Sequence, residues 1–211
     1  MKNTNLPNLF WLGDSIALHY YPYLAKYLEG VARLEVRSGY REAVQDINHP
    51  RGANCGDSSM VHAFLQTMLP RPEFPSQWIV FNCGLHDIKT DPASGQRQVE
   101  PDDYARNLDG IISLIRAHHK TPVWISTTPV DDARHREHCP EVSRFQKDVD
   151  TYNELARQVM EAQGVPVFGL HDFTTRLEGE LYMDHVHYTD GIRQLQAAYL
   201  AGQMERLLDT I

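Results

Sequence analysis

Short apolar runs alternate along the chain with longer segments in which apolar residues recur every three or four positions. The runs cover residues 9–12, 32–37, 78–82, 123–127 and 166–170 and have the length of strands. The longer segments carry helical periodicity at positions 17–28, 61–68, 104–115, 149–159 and 192–199. Strands that alternate with helices and are apolar on both faces predict a parallel sheet covered by helices on both sides.

The residues that follow the first run suggest a nucleophile. Ligands of open parallel sheets bind beyond the carboxyl ends of the strands. Gly13-Asp14-Ser15 stands there and opens a helical segment, so free backbone N–H groups would surround the Ser15 hydroxyl. Asp and Ser are also preferred helix N-caps, so the tripeptide alone indicates no more than a cap. A second copy, Gly56-Asp57-Ser58, follows a polar loop instead of a strand, which favours Ser15 as the nucleophile.

A base for this serine is available near the other end of the chain. Asp184 and His187 lie three positions apart in a polar segment that precedes the last helical pattern. In a tight loop the carboxylate accepts the Nδ1–H of the imidazole and leaves Nε2 free to take a proton from a serine. On its own, this segment is better explained as a polar loop that caps a helix and contains an incidental Asp–His pair. Together with Ser15 it predicts a catalytic triad.

Four short motifs, in this order, resemble those of the SGNH, or GDSL-type, hydrolases. They are Gly13-Asp14-Ser15, Gly56, Gly84-Leu85-His86-Asp87 and Asp184-His185-Val186-His187, and they span nearly the whole chain. The resemblance implies a flavodoxin-like three-layer α/β/α sandwich with a mostly parallel five-stranded sheet. It also implies that Ser15 is the nucleophile, His187 the general base and acid, and Asp184 the carboxylate that orients it.

The oxyanion hole departs from the pattern of the family. The resemblance implies backbone N–H donors from Ser15 and Gly56 and a third donor from an asparagine side chain, but His86 stands at that position. A neutral imidazole donates one N–H, so His86 is the expected third donor if its tautomer is held correctly. Asn82 and Asn54 are the alternatives. Asp87 either accepts from the His86 ring or caps the next segment.

Composition narrows the classes of partner. The chain has 211 residues, of which 42% are hydrophobic, so we expect a single domain with a sizeable core. Its net charge is −8 and no Lys/Arg cluster occurs, so nucleic acid and anionic membrane surfaces are poor partners. No apolar stretch has the length of a membrane span, and residues 1–8 lack the features of a signal peptide. We therefore expect a cytoplasmic protein without membrane insertion.

The three cysteines fit this compartment. Cys55, Cys83 and Cys139 are odd in number and show no C-x-x-C spacing, which predicts reduced thiols that fill apolar space.

Two other functions compete with the esterase. A metal-dependent phosphoesterase would use the ligand types present at Asp14, His86, Asp87, Asp184, His185 and His187. A ligand-binding module that keeps the fold without turnover is the other alternative. His135, His138 and Cys139 also have crude metal-ligand spacing, although the charged residues between them favour a solvated loop or lid over residues 131–140.

The sequence therefore predicts a serine esterase for small or carbohydrate-linked acyl esters, such as acetyl esters, without a metal or an organic cofactor. Its partner is a small-molecule ester substrate. The sequence leaves the acyl-chain length, the alcohol portion and the oligomeric state open. The type of ester depends on the depth of the pocket, which loops such as 91–101 and 131–142 set.

Overall fold

The computed structural model describes residues 6–47 and 49–210. Residues 1–5, which carry part of the expectation that no signal peptide is present, lie outside the described residues. The strands are β1 Asn8–Leu12, β2 Arg33–Val36, β3 Trp78–Phe81, β4 Thr121–Ile125 and β5 Val167–Phe168. The helices are α1 Ser15–Tyr27, α2 Tyr40–Ala43, α3 Ser58–Met68, α4 Pro101–Ala117, α5 Asp132–His138, α6 Gln146–Gln163, α7 Leu170–Thr175 and α8 Asp190–Leu208.

All strand pairs of the sheet are parallel, which confirms the predicted architecture. The order across the sheet is β2-β1-β3-β4-β5. Helices α1 and α8 pack together and α7 packs on α8, whereas α3, α4 and α6 form a second group. Because parallel crossovers are right-handed, the two groups cover opposite faces of the sheet. No helix among the described residues is both long and apolar enough to cross a bilayer.

Helix α4 shows how the sequence forms these layers. Pro101 occupies its first turn, where a missing N–H costs nothing, and Asp102 and Asp103 place negative charge near the helix N-terminus. One apolar stripe of the helix is fully buried and consists of Tyr104, Leu108, Ile111, Ile112 and Ile115. Burial of this stripe against the sheet drives the packing of the layer.

The sheet contains a topological switch point between β1 and β3. The chain leaves β1 toward β2 on one side and returns to β3 on the other. Leu12 lies opposite Phe81 in the register, so the segments that begin at Gly13 and Asn82 leave the sheet at the same level. Ligand sites of doubly wound sheets form at such a crevice.

Two sequence predictions are wrong in detail. The segment 131–140, expected to be a solvated loop or lid, contains helix α5, whose start is capped by the Asp131 side chain accepting from the Arg134 amide. A helix of seven residues is too short to show a periodic pattern. The run 166–170 forms only the two-residue strand β5 at the edge of the sheet, because Leu170 already begins α7.

Candidate active site

A continuous hydrogen-bonded chain joins the two ends of the sequence at the carboxyl edge of the sheet. Ser15 Oγ lies 2.9 Å from His187 Nε2, and His187 Nδ1 lies 2.8 Å from Asp184 Oδ2. Ser15 and His187 are 172 positions apart in the chain. Both side chains are buried, with Ser15 6% exposed and His187 0% exposed. The three residues predicted as a triad therefore meet in the order carboxylate, imidazole, hydroxyl.

The loop that carries Asp184 and His187 is held from two sides. Asp184 Oδ1 accepts the backbone N–H groups of Val186 and His187 at 2.9 and 2.8 Å, which closes a tight turn. From α5, Arg134 donates to the carbonyl oxygens of Asp184 at 2.7 Å and Tyr182 at 3.0 Å. These bonds fix the imidazole relative to the carboxylate.

The hydrogen bonds also set the charge and tautomer of the pair. Burial by itself would raise the pKa of Asp184, but the hydrogen bonds from the His187 ring and from the Val186 and His187 amides outweigh it and hold that pKa below its ordinary value. An ionised Asp184 accepts a proton from Nδ1, so the network assigns the hydrogen of a neutral His187 to that nitrogen. Nε2 is then free to accept the Ser15 hydroxyl proton.

The second copy of the tripeptide, Gly56-Asp57-Ser58, makes hydrogen bonds that hold the start of helix α3 in place. The Ser58 amide donates to both carboxylate oxygens of Asp87 at 2.9 and 3.2 Å, and the Ser58 hydroxyl accepts from Asn107 Nδ2 at 2.9 Å. Asp57 caps α3 by accepting from the Met60 amide at 3.0 Å. No imidazole among the described residues bonds to Ser58, so its hydroxyl lacks the histidine base that Ser15 has.

Asp14 and Asp87 both serve helix N-termini. The buried Asp14 side chain caps α1 by accepting from the Ile16 amide at 2.9 Å. Asp87, expected to accept from His86 or to cap the segment after it, instead reaches back to the first residue of α3 at Ser58. Burial raises the pKa of Asp87 to about 7. Sequence spacing could not reveal this contact, because α3 precedes Asp87 in the chain and meets it only in the folded layers.

The candidate oxyanion donors differ in whether they already have a hydrogen-bond partner. Ser15 is the first residue of α1, so its amide has no partner within the helix. The Gly56 amide already donates to Asn54 Oδ1 at 3.1 Å. His86 is only 2% exposed, and its Nδ1 has no hydrogen-bond partner among the described residues. Burial first, and the charges of Lys89, Arg144 and His187 next, hold the pKa of His86 well below its ordinary value, so the ring is neutral.

The two alternative asparagines are committed elsewhere. Asn82 Nδ2 donates to the Ile125 carbonyl at 2.9 Å and to the Thr127 hydroxyl at 3.3 Å. Asn54 Nδ2 donates to the carbonyl of Ile47 at 3.2 Å. Both side-chain amides thus hold backbone segments together, and neither presents a free N–H.

The residues of the metal alternative do not gather into one site. Of the six candidates, only Asp184, His185 and His187 have ligand atoms within 4.8 Å of one another. Both ring nitrogens of His187 are engaged by Asp184 and Ser15. A second group, His135, Cys139 and His185, meets the same distance within the described residues, whereas His138 is exposed and bonds to the Arg134 carbonyl.

Sequence reasoning missed several neighbours of the triad. The His19 ring packs edge-on against His187 with 4.9 Å between centroids, and burial lowers the pKa of His19 to about 3. Its position four residues after Ser15 on one helix face was the available signal. Arg134 and Arg144 gave no such signal, because their contacts with Tyr182, Asp184 and Leu85 are made far along the chain.

The fold and the triad geometry define the class of an SGNH-type hydrolase. A model of the GDSL-like lipase/acylhydrolase family matches residues 11–194. The chain belongs to this family and is a carboxylic ester hydrolase of the SGNH type. A search of curated proteins found no match.

Solved structures share this fold over nearly the whole chain. The lipase/acylhydrolase from Enterococcus faecalis is 15% identical, with 96% of this chain and 97% of that chain covered and a TM-score of 0.64. Est24, a carbohydrate acetylesterase from Sinorhizobium meliloti, is 12% identical with 95% and 99% coverage and a TM-score of 0.63. The aryl esterase of M. smegmatis is 13% identical with 95% and 99% coverage and a TM-score of 0.65.

Proposed function

We propose that the chain is a serine esterase that cleaves small or carbohydrate-linked acyl esters, such as acetyl esters, through an acyl-enzyme on Ser15. The observation that carries the proposal is the unbroken chain of hydrogen bonds from Asp184 through His187 to Ser15. The likeness to a carbohydrate acetylesterase supports a small, carbohydrate-linked acyl group, and the likeness to an aryl esterase supports ester hydrolysis, since the two proteins carry these activities in their names.

The reaction follows from the directions of these bonds. His187 Nε2 takes the hydroxyl proton as Ser15 Oγ attacks the ester carbonyl, and the imidazolium then protonates the leaving alkoxide. The ionised Asp184 stabilises the imidazolium between these transfers. Water attacks the acyl group in a second round with the same base, which releases the acid and restores the Ser15 hydroxyl.

The oxyanion of the tetrahedral intermediate needs several N–H donors at once. The Ser15 amide at the N-terminus of α1 supplies one, with support from the helix dipole. His86 supplies a second from its neutral ring. The Gly56 amide contributes by sharing its hydrogen between Asn54 Oδ1 and the oxyanion. With Asn82 and Asn54 bonded to main-chain carbonyls, His86 is the side-chain donor of the hole.

A fluorophosphonate probe tests the nucleophile directly. We expect mass spectrometry to locate the adduct on Ser15 and not on Ser58. Ser15→Ala should lose nearly all hydrolysis of 4-nitrophenyl acetate while keeping its circular dichroism spectrum. Ser113→Ala removes an exposed hydroxyl from helix α4, outside the loops that border the pocket, and serves as the matched control. Wild-type turnover by Ser15→Ala, or labelling of Ser58, would reject the proposal.

The metal-dependent alternative makes a different prediction. Ester hydrolysis through the triad should persist after dialysis against EDTA. Loss of activity on dialysis that Mn²⁺ or Zn²⁺ restores, together with cleavage of 4-nitrophenyl phosphate, would favour a phosphoesterase.

A further inference from the structure

A cavity of about 440 Å³ adjoins the triad and contains positive charge. Its lining includes Lys89, Arg144 and His185, with Cys139 and Glu141 also present. The ring of His185 lies 5.6 Å from that of His187 between centroids, and His185 Nδ1 lies 3.6 Å from Asp184 Oδ1. Burial lowers the pKa of His185 to about 4, so this ring is neutral near pH 7.

Arg144 is a buried cation without a carboxylate partner. It is 6% exposed, and within the described ranges no carboxylate lies within 4.0 Å of its nitrogens. Its Nε donates to the Leu85 carbonyl at 2.7 Å, and one terminal nitrogen donates to His135 Nε2 at 2.9 Å. Burial lowers the pKa of Arg144 to about 10, which leaves the guanidinium charged at neutral pH. Three of its five N–H donors have no acceptor in the part of the chain that is described.

Lys89 adds a second cation to the same cavity. Its ammonium group is half-buried and makes no hydrogen bond or ion pair with another described residue. Burial, and next the charge of Arg144, lower the pKa of Lys89 to about 8. The acids whose charges act on these cations are Asp14 and Asp57. Both are committed to helix caps, Asp14 at α1 and Asp57 at α3. Glu141 lines the cavity from an exposed position.

Two unpaired cations in a recess favour an anionic ligand. A buried charge without a partner destabilises the folded protein. A bound carboxylate or phosphate would offset this cost by accepting charge-assisted hydrogen bonds from the guanidinium and ammonium groups. A metal ion fits less well. Although His135, Cys139 and His185 come close together, Arg144 occupies the lone pair of His135 Nε2 and adds a positive charge beside it.

We propose that this cavity binds a carboxylate or phosphate carried by the ester substrate, so that the enzyme prefers acyl esters with one anionic group. The inference rests on the proposed esterase function and names its substrate class. Lys89 and Arg144 act as specificity residues that hold the charged end of the substrate while Ser15 attacks the ester.

Matched substrate pairs test the preference. 4-Nitrophenyl hydrogen succinate and 4-nitrophenyl butyrate differ by a carboxylate on the acyl side, and 2-acetoxyethyl phosphate and 2-methoxyethyl acetate differ by a phosphate on the alcohol side. We expect the anionic member of one pair to have a kcat/KM about 10- to 100-fold higher, the factor that a hydrogen bond to a charged group supplies. The pair that shows the preference identifies the anion and the side that carries it.

Variants at Lys89 separate the cavity from the triad. Lys89→Gln should lower the ratio of kcat/KM for the anionic ester to kcat/KM for the neutral ester by about 10-fold, and Lys89→Glu should lower it further. Neither variant should change kcat/KM for the neutral esters much. Lys147→Gln removes an exposed charge outside the cavity and should leave the ratio unchanged. Equal losses toward charged and neutral esters in Lys89→Gln would overturn the proposal.

Direct binding keeps this test independent of turnover. Titration calorimetry of Ser15→Ala with succinate and with inorganic phosphate should show binding of at least one anion at a single site, weakened in Ser15→Ala/Lys89→Gln. If neither anion binds and the two esters of each pair have equal kcat/KM values, the cavity is not an anion site, whereas the assignment of the triad is unaffected. Retained ester cleavage by Ser15→Ala would reject the triad alone. Stoichiometric binding of Zn²⁺ in place of the anions would overturn the assignment in favour of a metal site.

Discussion

The substitution Asp184→Asn provides a sharp test of the triad because the surrounding hydrogen bonds dictate how the amide must sit. The position of Oδ1 faces two backbone N–H donors, from Val186 and His187. An acceptor is required there, so the amide oxygen of the asparagine takes this place. Its NH₂ group then occupies the position of Oδ2, 2.8 Å from His187 Nδ1 in the native protein.

This orientation reverses the tautomer of the imidazole. An NH₂ donor facing Nδ1 requires Nδ1 to be the acceptor, which moves the ring hydrogen to Nε2. A protonated Nε2 cannot take the hydroxyl proton of Ser15. The same change in a serine triad lowers kcat by about 10⁴, or about 5 kcal/mol of barrier, and we expect a loss of this size.

The assay compares kcat for 4-nitrophenyl acetate with the rate of fluorophosphonate labelling, since both depend on the nucleophile. Circular dichroism and the melting temperature should change little, because the two backbone bonds to Oδ1 persist. Asp172→Asn is the matched control: Asp172 Oδ1 lies 3.1 Å from His171 Nδ1 in an exposed pair, and its loss should leave kcat unchanged. A kcat for Asp184→Asn within about tenfold of the wild type would refute the assigned roles of Asp184 and His187.

Three further predictions concern the neighbours of the triad. His86→Phe should lower kcat by about 10²–10³ with a smaller change in KM, whereas His86→Asn, which has an amide donor, should keep much of the wild-type rate. A kcat of His86→Phe equal to that of the wild type in steady-state kinetics would remove His86 from the oxyanion hole. Because burial holds the pKa of His86 well below that of an unfolded histidine, the unfolded chain binds the additional proton, and stability falls as the pH falls through about 6.5. Between pH 6.5 and 5.5 the free energy of unfolding should fall by about 1 kcal/mol because of His86 alone. Urea unfolding at both pH values should show that this fall is smaller by the same amount in His86→Phe. Ser58→Ala should lower the melting temperature because Asn107 Nδ2 loses its acceptor, but it should leave kcat near the wild-type value. A large fall in kcat would instead give Ser58 a role in the reaction.

The periodic pattern of the sequence was sufficient for the sheet and for placing the candidate nucleophile at the end of a strand. Strands buried on both faces need continuous apolar runs, so β1, β3 and β4 were visible, and Ser15 followed from the end of β1. The spacing of Asp184 and His187 predicted their hydrogen bond because a turn of three residues is a local structure. Helix α5 escaped prediction because its seven residues show no period, and strand β5 was predicted too long because Leu170 already begins α7.

Contacts between distant segments were decided by the tertiary structure. The sequence favoured His86 as the third oxyanion donor and left Asn82 and Asn54 as alternatives, and the folded chain distinguishes the three by the acceptors that each side chain meets. Ile125, the acceptor for Asn82, lies on a neighbouring strand. Arg144 is another such case, since the charge of an arginine is readable in a sequence, but its burial with no carboxylate partner among the described residues is not. Local spacing thus determines turns, caps and strands, whereas the partners of a buried polar group depend on how the layers pack.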